Sequence, residues 1–254
     1  MKVVIIGAGN VATVFGRLIK KANHQIVQVM SRKATTAKIL ADELGCAFTD
    51  NCQDIDQGAD MYVVAMSDAS LNNLKEDFNL GNKIVVHTAG SVSINILKEV
   101  SENFGVLYPL QSLRKENMDT QTAIPLLVDG NIDHSKYIIE AFAKTISNNV
   151  AFTDDEHRLK LHLAAVLVSN FTNHLYALAF DFCVAEKIDF KMLQPLIEET
   201  ALRLRHHQPQ DMQTGPAIRK DIITLDKQLR ILSQHQKLRT VYLRMTDSIM
   251  NSEL

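Results

Sequence analysis

The chain has 254 residues, enough for one large domain or two modest ones with an ample core. Its hydrophobic share of 46% and charged share of 22% are typical of a globular protein. A formal net charge of −2 gives no electrostatic reason to expect a nucleic acid or an anionic membrane as a partner.

The opening segment predicts a nucleotide-binding turn. Residues 2–6 form a short apolar run that predicts a buried strand, and the sequence GAGNVA at 7–12 follows directly. In this pattern Gly7 allows the tight turn, Gly9 lets a pyrophosphate approach the backbone, and Ala12 lets the next helix pack closely on the sheet. The alternative is a glycine turn without a ligand. We expect the pyrophosphate to contact Gly7, Ala8, Gly9, Asn10 and Val11.

The end of the second predicted strand indicates which dinucleotide binds. That strand covers residues 26–30, and a helix is predicted over 36–44. A site that prefers NAD would carry Asp or Glu after the strand, whereas this chain has Ser31, Arg32 and Lys33. A guanidinium and a hydroxyl can bind a 2′-phosphate through charge-assisted hydrogen bonds. The pattern favours NADP(H), and the alternative is a solvated basic loop.

The first part of the chain alternates short β-branched runs with amphipathic segments, the pattern of right-handed βαβ units in a doubly wound, mostly parallel Rossmann-like sheet. From about residue 154 long stripes of period 3.6 replace it. We therefore predict an NADP-binding domain over 1–152 and an all-helical substrate and dimerisation domain over 153–254. The further predicted strands cover residues 47–48, 61–65, 83–87, 104–107, 124–128 and 150–152.

Residues just after these strands are candidates for contact with ligands, because ligands bind beyond the carboxyl ends of strands in such sheets. Met66 and Ser67 are expected to touch the cofactor, while Asp68 is expected to cap a helix that begins near residue 70. His87 could exchange a proton with the substrate, or it could be a strand-end histidine bonded to backbone. The segments TAGS at 88–91 and YPLQS at 108–112 follow two further strands.

A long helix predicted over 155–186 carries a polar line. His162, Ser169 and Asn173 are separated by seven and four residues, which places them on one α-helical face, with Asn170 roughly 80° around from His162. Unpaired buried polar groups cost about 1–3 kcal/mol each, so these groups either bond across the core or face a cleft that holds the substrate.

The sequence after residue 214 predicts another core helix. Pro216 after Gly215 suits a helix start, and an apolar stripe follows through Ile218, Ile222, Leu225, Leu229 and Leu232.

The three cysteines form neither a metal-type pair nor a disulfide framework, and His206 and His207 point different ways on a helix. We expect no metal and a reducing, cytoplasmic location.

With these residues placed, the chain resembles a family of NADP-dependent oxidoreductases that join a Rossmann-like domain to a helical domain of unknown function. The resemblance covers essentially the whole length. Glycine usually precedes the aspartate of the family's last motif, where this chain has Lys220. The motifs that carry the resemblance are GAGNVA at 7–12, HTAGS at 87–91, LYPLQS at 107–112, LHLAAVLVSNFTNHL at 161–175 and TGPAIRKD at 214–221.

More distantly, the chain is similar to pyrroline-5-carboxylate reductases and to dehydrogenases of 6-phosphogluconate and β-hydroxy acids, whose helical domain supplies the substrate site and usually the dimer interface. The resemblance implies a C2 homodimer. β-Hydroxy acid dehydrogenases place a catalytic lysine one turn before an asparagine that resembles Asn170, and here that position is Val166. Reduction of an imine needs less from the protein, because the substrate can bring its own proton.

These observations predict an oxidoreductase that transfers hydride between NADP(H) and a small imino, keto or hydroxy acid. The candidate catalytic residues are His162, Asn170 and His87. Asn173 and Arg219 are candidates for binding the substrate, with Asp221 orienting Arg219, although a salt bridge would equally explain that pair. The alternatives are a non-catalytic NADP(H) sensor and a Rossmann scaffold that binds no cofactor.

Overall fold

The computed structural model of the chain describes residues 1–116 and 124–251. It divides into two compact units, Met1–Val168 and Ser169–Leu254. The expected boundary after residue 152 falls inside the first unit, where the last strand gives way to a helix.

The first unit is built on an eight-stranded sheet in the order β3-β2-β1-β4-β5-β6-β7-β8. Every neighbouring pair is parallel except β6 and β7, which run antiparallel. This confirms the predicted fold class, and each predicted strand has its counterpart within a few residues. The strands are β1 Lys2–Ile6, β2 Gln25–Met30, β3 Ala47–Thr49, β4 Met61–Val64, β5 Ile84–His87, β6 Asn103–Pro109, β7 Leu126–Gly130 and β8 Val150–Phe152.

Helices connect these strands and continue into the second unit. In the first unit they are α1 Asn10–Lys21, α2 Ala34–Leu44, α3 Asp68–Leu71, α4 Leu74–Asp77, α5 Asp133–Ile146 and α6 Asp155–Ala165. In the second unit they are α7 Thr172–Ala185, α8 Gln194–Leu202, α9 Ile222–Ile231 and α10 Gln236–Met250.

The sheet is buried on both faces, which explains its runs of β-branched residues. One apolar cluster joins β1 to α1, α2 and α5, and a second lies on the opposite face. Gly16 allows α1 to approach α2, because a Cβ at this position would lie 2.6 Å from a methyl carbon of Leu44. The buried sheet therefore holds the loops at the carboxyl ends of its strands in fixed positions.

The predicted helix over 155–186 is interrupted. A π-helical stretch, Val166–Phe171, separates α6 from α7. In this stretch the hydrogen bonds span five residues instead of four, so a face of period 3.6 cannot be carried from His162 through to Asn173. The prediction of one polar line on a regular α-helix is wrong for this reason.

The helical stretch Asp155–Ala185 is also long and apolar enough to cross a membrane by length and composition alone. Its most apolar window has a mean hydropathy of 1.3, and only 6% of that window is buried. One such helix does not by itself establish a membrane span, because an unpaired interface helix has the same properties.

The last predicted helix begins later than expected. Pro216 enters a turn, and α9 begins at Ile222 with Asp221 as its cap. Of the predicted core stripe, Leu225 and Leu232 are buried, whereas Ile222 is 61% exposed. The prediction that the whole stripe is core is therefore wrong for a single chain.

Candidate functional site

The turn after β1 has the shape that a dinucleotide requires. Gly7 adopts a φ of +121°, and a Cβ there would lie 2.1 Å from the Ala65 carbonyl oxygen, so only glycine fits. A Cβ on Gly9 would meet nothing within 4 Å. Gly9 is the N-cap of α1, and no side chain caps this helix or places a negative charge in its first turn. The first amides of α1 are therefore available to an anion.

A pocket of about 300 Å³ opens over this turn. It brings together eight of the predicted cofactor residues, while Asn10 and Val11 lie on the adjoining first turn of α1. No carboxylate lines the pocket, so the repulsion that would exclude a 2′-phosphate is absent from its walls. The lining residues are Gly7, Ala8, Gly9, Met30, Ser31, Arg32, Lys33, Ala65, Met66, Ser67 and Ser70.

The basic residues of the pocket belong to the loop between β2 and α2. Arg32 and Lys33 are both exposed, and the Ser31 hydroxyl accepts a hydrogen bond of 3.5 Å from the Lys33 amide. This set of one hydroxyl and two cations fits a phosphomonoester, and the glycine turn fits a pyrophosphate. The residues present therefore fit NADP(H).

The loop after β4 differs from its prediction. The short helix α3 begins at Asp68 with Ser67 as N-cap, and the Ser67 and Ser70 hydroxyls lie 2.8 Å apart. Asp68 is the first helical residue and caps nothing, so the prediction that it caps a helix near residue 70 is wrong. Its carboxylate instead accepts a hydrogen bond from the Ser91 hydroxyl, which joins the loops after β4 and β5.

His87 lies at the end of β5 and is fully buried. Its Nδ1 accepts a hydrogen bond of 3.1 Å from the Ala89 amide. Burial, with a smaller effect of the nearby Arg158 charge, lowers the pKa of His87 from 6.5 to about 4. The ring is thus neutral near neutral pH, and its Nε2 is buried without a hydrogen-bond partner among the described residues. These contacts match the alternative of a backbone-bonded strand-end histidine, not a proton exchanger.

A pair of polar side chains lies near the carboxyl ends of β5 and β6. The Tyr108 hydroxyl, on β6, lies 3.0 Å from Nδ1 of His162 on α6, and the two rings meet edge to face. Gly90 packs against both, since a Cβ there would lie 2.7 Å from His162 Nδ1 and 2.8 Å from Tyr108 Cζ. Tyr108 was among the strand-end residues singled out from the sequence, but its pairing with His162 was not foreseen.

Sequence reasoning missed Arg158 altogether. This arginine lies one turn before His162 on α6 and is 1% exposed. Its Nη2 donates to the Val92 carbonyl at 2.5 Å and to Asp155 at 2.6 Å, while its Nε and Nη1 are buried without a partner among the described residues. The only available signal was its spacing of four residues from His162, which is common on solvated helices.

Asp155 anchors the same loop. Although burial raises the pKa of Asp155, hydrogen bonds from Ser93 and Arg158 outweigh it and hold this pKa below its ordinary value. The carboxylate also accepts a hydrogen bond of 3.2 Å from the Ile94 amide. Asp155 and Arg158 therefore fix the loop of residues 90–94 against α6.

The remaining candidates lie in the second unit. Asn170 is in the π-helical stretch, Asn173 is in α7, and both are exposed. Arg219 is exposed in the turn before α9. Both carboxylate oxygens of Asp221 accept hydrogen bonds from Thr224, at 3.1 and 2.7 Å, so Asp221 caps α9. No hydrogen bond or ion pair joins Asp221 to Arg219 among the described residues, although the Thr224 hydrogen bonds and, with a smaller effect, the Arg219 charge lower the pKa of Asp221. The orientation of Arg219 by Asp221 therefore stays a prediction.

Two family models match the sequence. A Rossmann-like domain matches residues 1–111, and a domain of unknown function, DUF2520, matches residues 124–249. No curated protein sequence matches the chain at a significant level.

Solved structures resemble the chain over nearly its whole length. A candidate NADP oxidoreductase from Bacteroides fragilis is 33% identical, with a TM-score of 0.92, and the match covers 99% of this chain and 98% of that one. An imine reductase from Myxococcus stipitatus in complex with NADP⁺ is 16% identical, with a TM-score of 0.67 and coverage of 98% and 93%. A 1-pyrroline-5-carboxylate reductase from Streptococcus pyogenes is 13% identical, with a TM-score of 0.67 and coverage of 99% of each chain. At these lower identities the last two show a shared fold.

Proposed function

This chain belongs to the family that joins a Rossmann-like domain to the DUF2520 domain, and we propose that it is an NADP(H)-dependent oxidoreductase acting on a small imino, keto or hydroxy acid. One observation carries the proposal. The glycine turn, the uncapped start of α1 and the Ser31–Arg32–Lys33 loop line one pocket that contains no carboxylate. The name of the Bacteroides fragilis relative supports the same cofactor.

NADP(H), when bound, supplies or accepts a hydride at its nicotinamide ring. In this chain the α1 amides and the backbone of Gly7 to Gly9 would hold the pyrophosphate, while Ser31, Arg32 and Lys33 would hold the 2′-phosphate. Met66 and Ser67 would contact the cofactor from the end of β4.

For the substrate we favour a C=N or C=O group beside a carboxylate. Arg219 is exposed and can grip a carboxylate through two parallel hydrogen bonds, and Asn170 and Asn173 can donate to polar groups. The position of the catalytic lysine in β-hydroxy acid dehydrogenases is Val166 in this chain, which cannot move a proton. Oxidation of hydroxy acids by that lysine mechanism is therefore disfavoured, and imine reduction is the preferred reaction.

The cofactor proposal is tested by titrating NADPH and NADH against the protein and following nicotinamide fluorescence, which no tryptophan obscures in this chain. We expect NADPH to bind more tightly. Replacing Arg32 with Glu should weaken NADPH binding by about 10- to 100-fold, the value of a lost charge-assisted hydrogen bond, with little effect on NADH.

The matched control is Lys38→Glu, the same charge change on an exposed residue of α2 that does not line the pocket. It should leave NADPH affinity within about twofold, since exposed charges away from the ligand are screened. Equal affinity for NADH and NADPH in the unaltered protein would show that Arg32 does not bind the 2′-phosphate. Tight NADPH binding without turnover of any imino, keto or hydroxy acid would instead favour the non-catalytic sensor.

We also propose that the chain is a homodimer through its helical part. The described residues of the second unit leave large hydrophobic side chains exposed on several helices, including Phe171, Met192 and Ile223, which are 58%, 76% and 73% exposed. In the helical stretch Asp155–Ala185, only 6% of the most apolar window is buried. A second copy is the occupant we favour, because a two-fold interface can cover the same apolar patch on both chains.

Light scattering on the purified protein should give the mass of a dimer. Ile223→Glu on α9 should shift the equilibrium toward monomer, whereas Ile39→Glu on α2, also exposed at 68%, should not. A monomer that partitions into lipid vesicles would instead assign the apolar helix to a membrane.

A further inference from the structure

We infer that the Tyr108 hydroxyl is the proton donor to the substrate, and that His162 and Arg158 are its positioning residues. This inference rests on the proposed hydride transfer and names the group in the chain that completes it. A substrate carbon that gains a hydride leaves an electron pair on its nitrogen or oxygen, and that atom must take a proton unless the substrate already carries it.

Tyr108 stands at the edge of the sheet where ligands bind. Strands β4, β5 and β6 are adjacent and parallel, and Val64 pairs with His87, which pairs with Val106. Neighbouring strands are about 4.8 Å apart, so the end of β6 lies roughly 10 Å across this edge from the end of β4. The residues that follow β4, Ala65 to Ser67, line the cofactor pocket.

A chain of contacts joins that pocket to Tyr108. Asp68, next to pocket-lining Ser67, accepts a hydrogen bond from Ser91. Ser91 follows Gly90, which packs against Tyr108 and His162. The loop after β5 therefore holds the tyrosine–histidine pair at a fixed place beside the pocket wall.

Gly90 indicates that space for this pair is built into the fold. Its φ is not among the positive values found at Gly7, Gly45, Gly81 and Gly215, so the backbone at this position does not itself require glycine. A Cβ would approach His162 Nδ1 to 2.7 Å and Tyr108 Cζ to 2.8 Å. The absence of a side chain at this position is therefore explained by the two rings that meet there.

The charges around Tyr108 suit a donor. The titratable and charged groups that face it are Arg158, Asp68 and His162. Burial raises the pKa of Tyr108, which keeps the phenol protonated near neutral pH, while the Arg158 charge acts against this rise and Asp68 adds to it. Arg158 is the nearby cation that would stabilise the phenolate formed when the proton leaves.

The proton that Tyr108 gives up is replaced from solvent through His162. The Tyr108 O–H bond breaks as the new N–H or O–H bond of the substrate forms. The His162 Nδ1–H then donates to the phenolate at 3.0 Å, and His162 takes a proton from water at Nε2. His162 is only partly buried, so its ring can exchange protons with solvent. No further oxidant or reductant is needed.

The test compares NADPH oxidation by the full protein and its variants on a panel of cyclic imines and α-keto acids, over a range of pH. Tyr108→Phe should lower kcat by about 10²- to 10⁴-fold on keto acids, with NADPH affinity within about twofold. His162→Gln keeps a hydrogen bond to Tyr108 but cannot relay a proton, so it should lower kcat and change its pH profile. The solvent deuterium isotope effect on kcat should fall in Tyr108→Phe.

Tyr62→Phe is the matched control. Tyr62 is a buried tyrosine of β4 whose hydroxyl donates to the Asp56 carbonyl at 2.6 Å. This variant loses one buried tyrosine hydrogen bond and should keep kcat, its pH profile and the isotope effect. If Tyr108→Phe behaves like Tyr62→Phe on every imine or keto acid that the unaltered protein reduces, the inference is wrong and the proposed function stands. If the unaltered protein neither binds NADPH nor oxidises it, the proposed function fails first.

A second readout does not depend on turnover. The near-ultraviolet absorbance of tyrosinate, taken as the difference between the unaltered protein and Tyr108→Phe, reports the titration of Tyr108 alone. Arg158→Met should move that titration to higher pH, and Arg158→Lys, which keeps the charge, should restore it in part. An unchanged titration in a folded Arg158→Met protein would exclude a role for Arg158.

Discussion

The two units of this chain stabilise themselves in different ways. The first unit buries both faces of an eight-stranded sheet, with two large apolar clusters and fully buried strands such as β4. The second unit buries few hydrophobic residues among those described, and leaves more than twice as many large ones exposed. The buried hydrophobic residues of the second unit are Leu178, Cys183, Ala217, Leu225 and Leu232.

The first unit therefore has a complete hydrophobic core, whereas the second presents apolar surface. Hydrophobic burial is the main favourable term in folding, at about 25 cal/mol per Å² removed from water. A helical unit with so little apolar surface buried gains most of that favourable term when another surface covers it. We expect changes in the first unit to act on folding and changes in the second to act on association.

Two phenylalanines, one in each unit, should differ most in what their replacement does to stability. Phe142, on α5, is 2% exposed in the core of the first unit, so Phe142→Ala should lower the free energy of unfolding by about 3–5 kcal/mol. Phe171 is 58% exposed, so Phe171→Ala should leave the stability of a monomer almost unchanged and weaken dimerisation. Chemical denaturation at two protein concentrations measures both. Equal losses of stability in the two variants, independent of protein concentration, would show that the two units do not differ in this way.

Acid should act on the first unit through His87. Its folded pKa of about 4 lies below its ordinary value of 6.5, so the unfolded chain binds the proton more tightly. The neutral ring is fully favourable above pH 6.5, and its contribution is lost as the pH falls from 6.5 toward 4. The loss amounts to roughly 3 kcal/mol at the lower end.

Denaturation midpoints measured across this range, with His87→Gln as the comparison, isolate the effect. The pKa of Asp155 is held below its ordinary value of 3.8, so this carboxylate titrates mainly below the range. The unaltered protein should lose stability more steeply than the variant. Parallel curves for the two proteins would show that His87 gains no proton on unfolding.

Only a small change in stability is expected from replacing Lys220, in the turn before α9. Lys220 adopts a φ of +53°, in the left-handed region that favours glycine. Lys220→Gly should relieve about 1–2 kcal/mol of backbone strain, offset by roughly 0.5–1 kcal/mol of added freedom in the unfolded chain. Thermal unfolding should therefore show a gain of between about 0 and 1.5 kcal/mol. A loss of stability would mean that the lysine side chain makes a compensating contact.

Much of the first unit could be predicted because its signals are local. Buried parallel strands have runs of β-branched residues, and the turn after β1 needs Gly7 for its backbone and Gly9 for open space. The basic loop after β2 could be placed at the pocket for the same reason, because the carboxyl ends of parallel strands share one edge. These features depend on a few neighbouring residues.

The predictions were wrong or incomplete where segments far away in the chain determine a residue's contacts. The polar line on the long helix assumed an unbroken period of 3.6, which the π-helical stretch removes. Asp68 had the right type and place for a cap, but Ser91 competes for its carboxylate. Arg158 had the spacing of a solvated residue, but it is buried and donates to the carbonyl of Val92, far away in the chain.

Local patterns are enough to specify the Rossmann-like sheet, the change to a helical second part and the residues that fit a phosphorylated dinucleotide, because periodicity and glycine geometry act over short stretches. Long-range packing buries His87 in its neutral form, brings the Tyr108 hydroxyl to His162, and buries Arg158. Burial and pairing of a polar side chain depend on residues far away in the chain, and no local pattern specifies them.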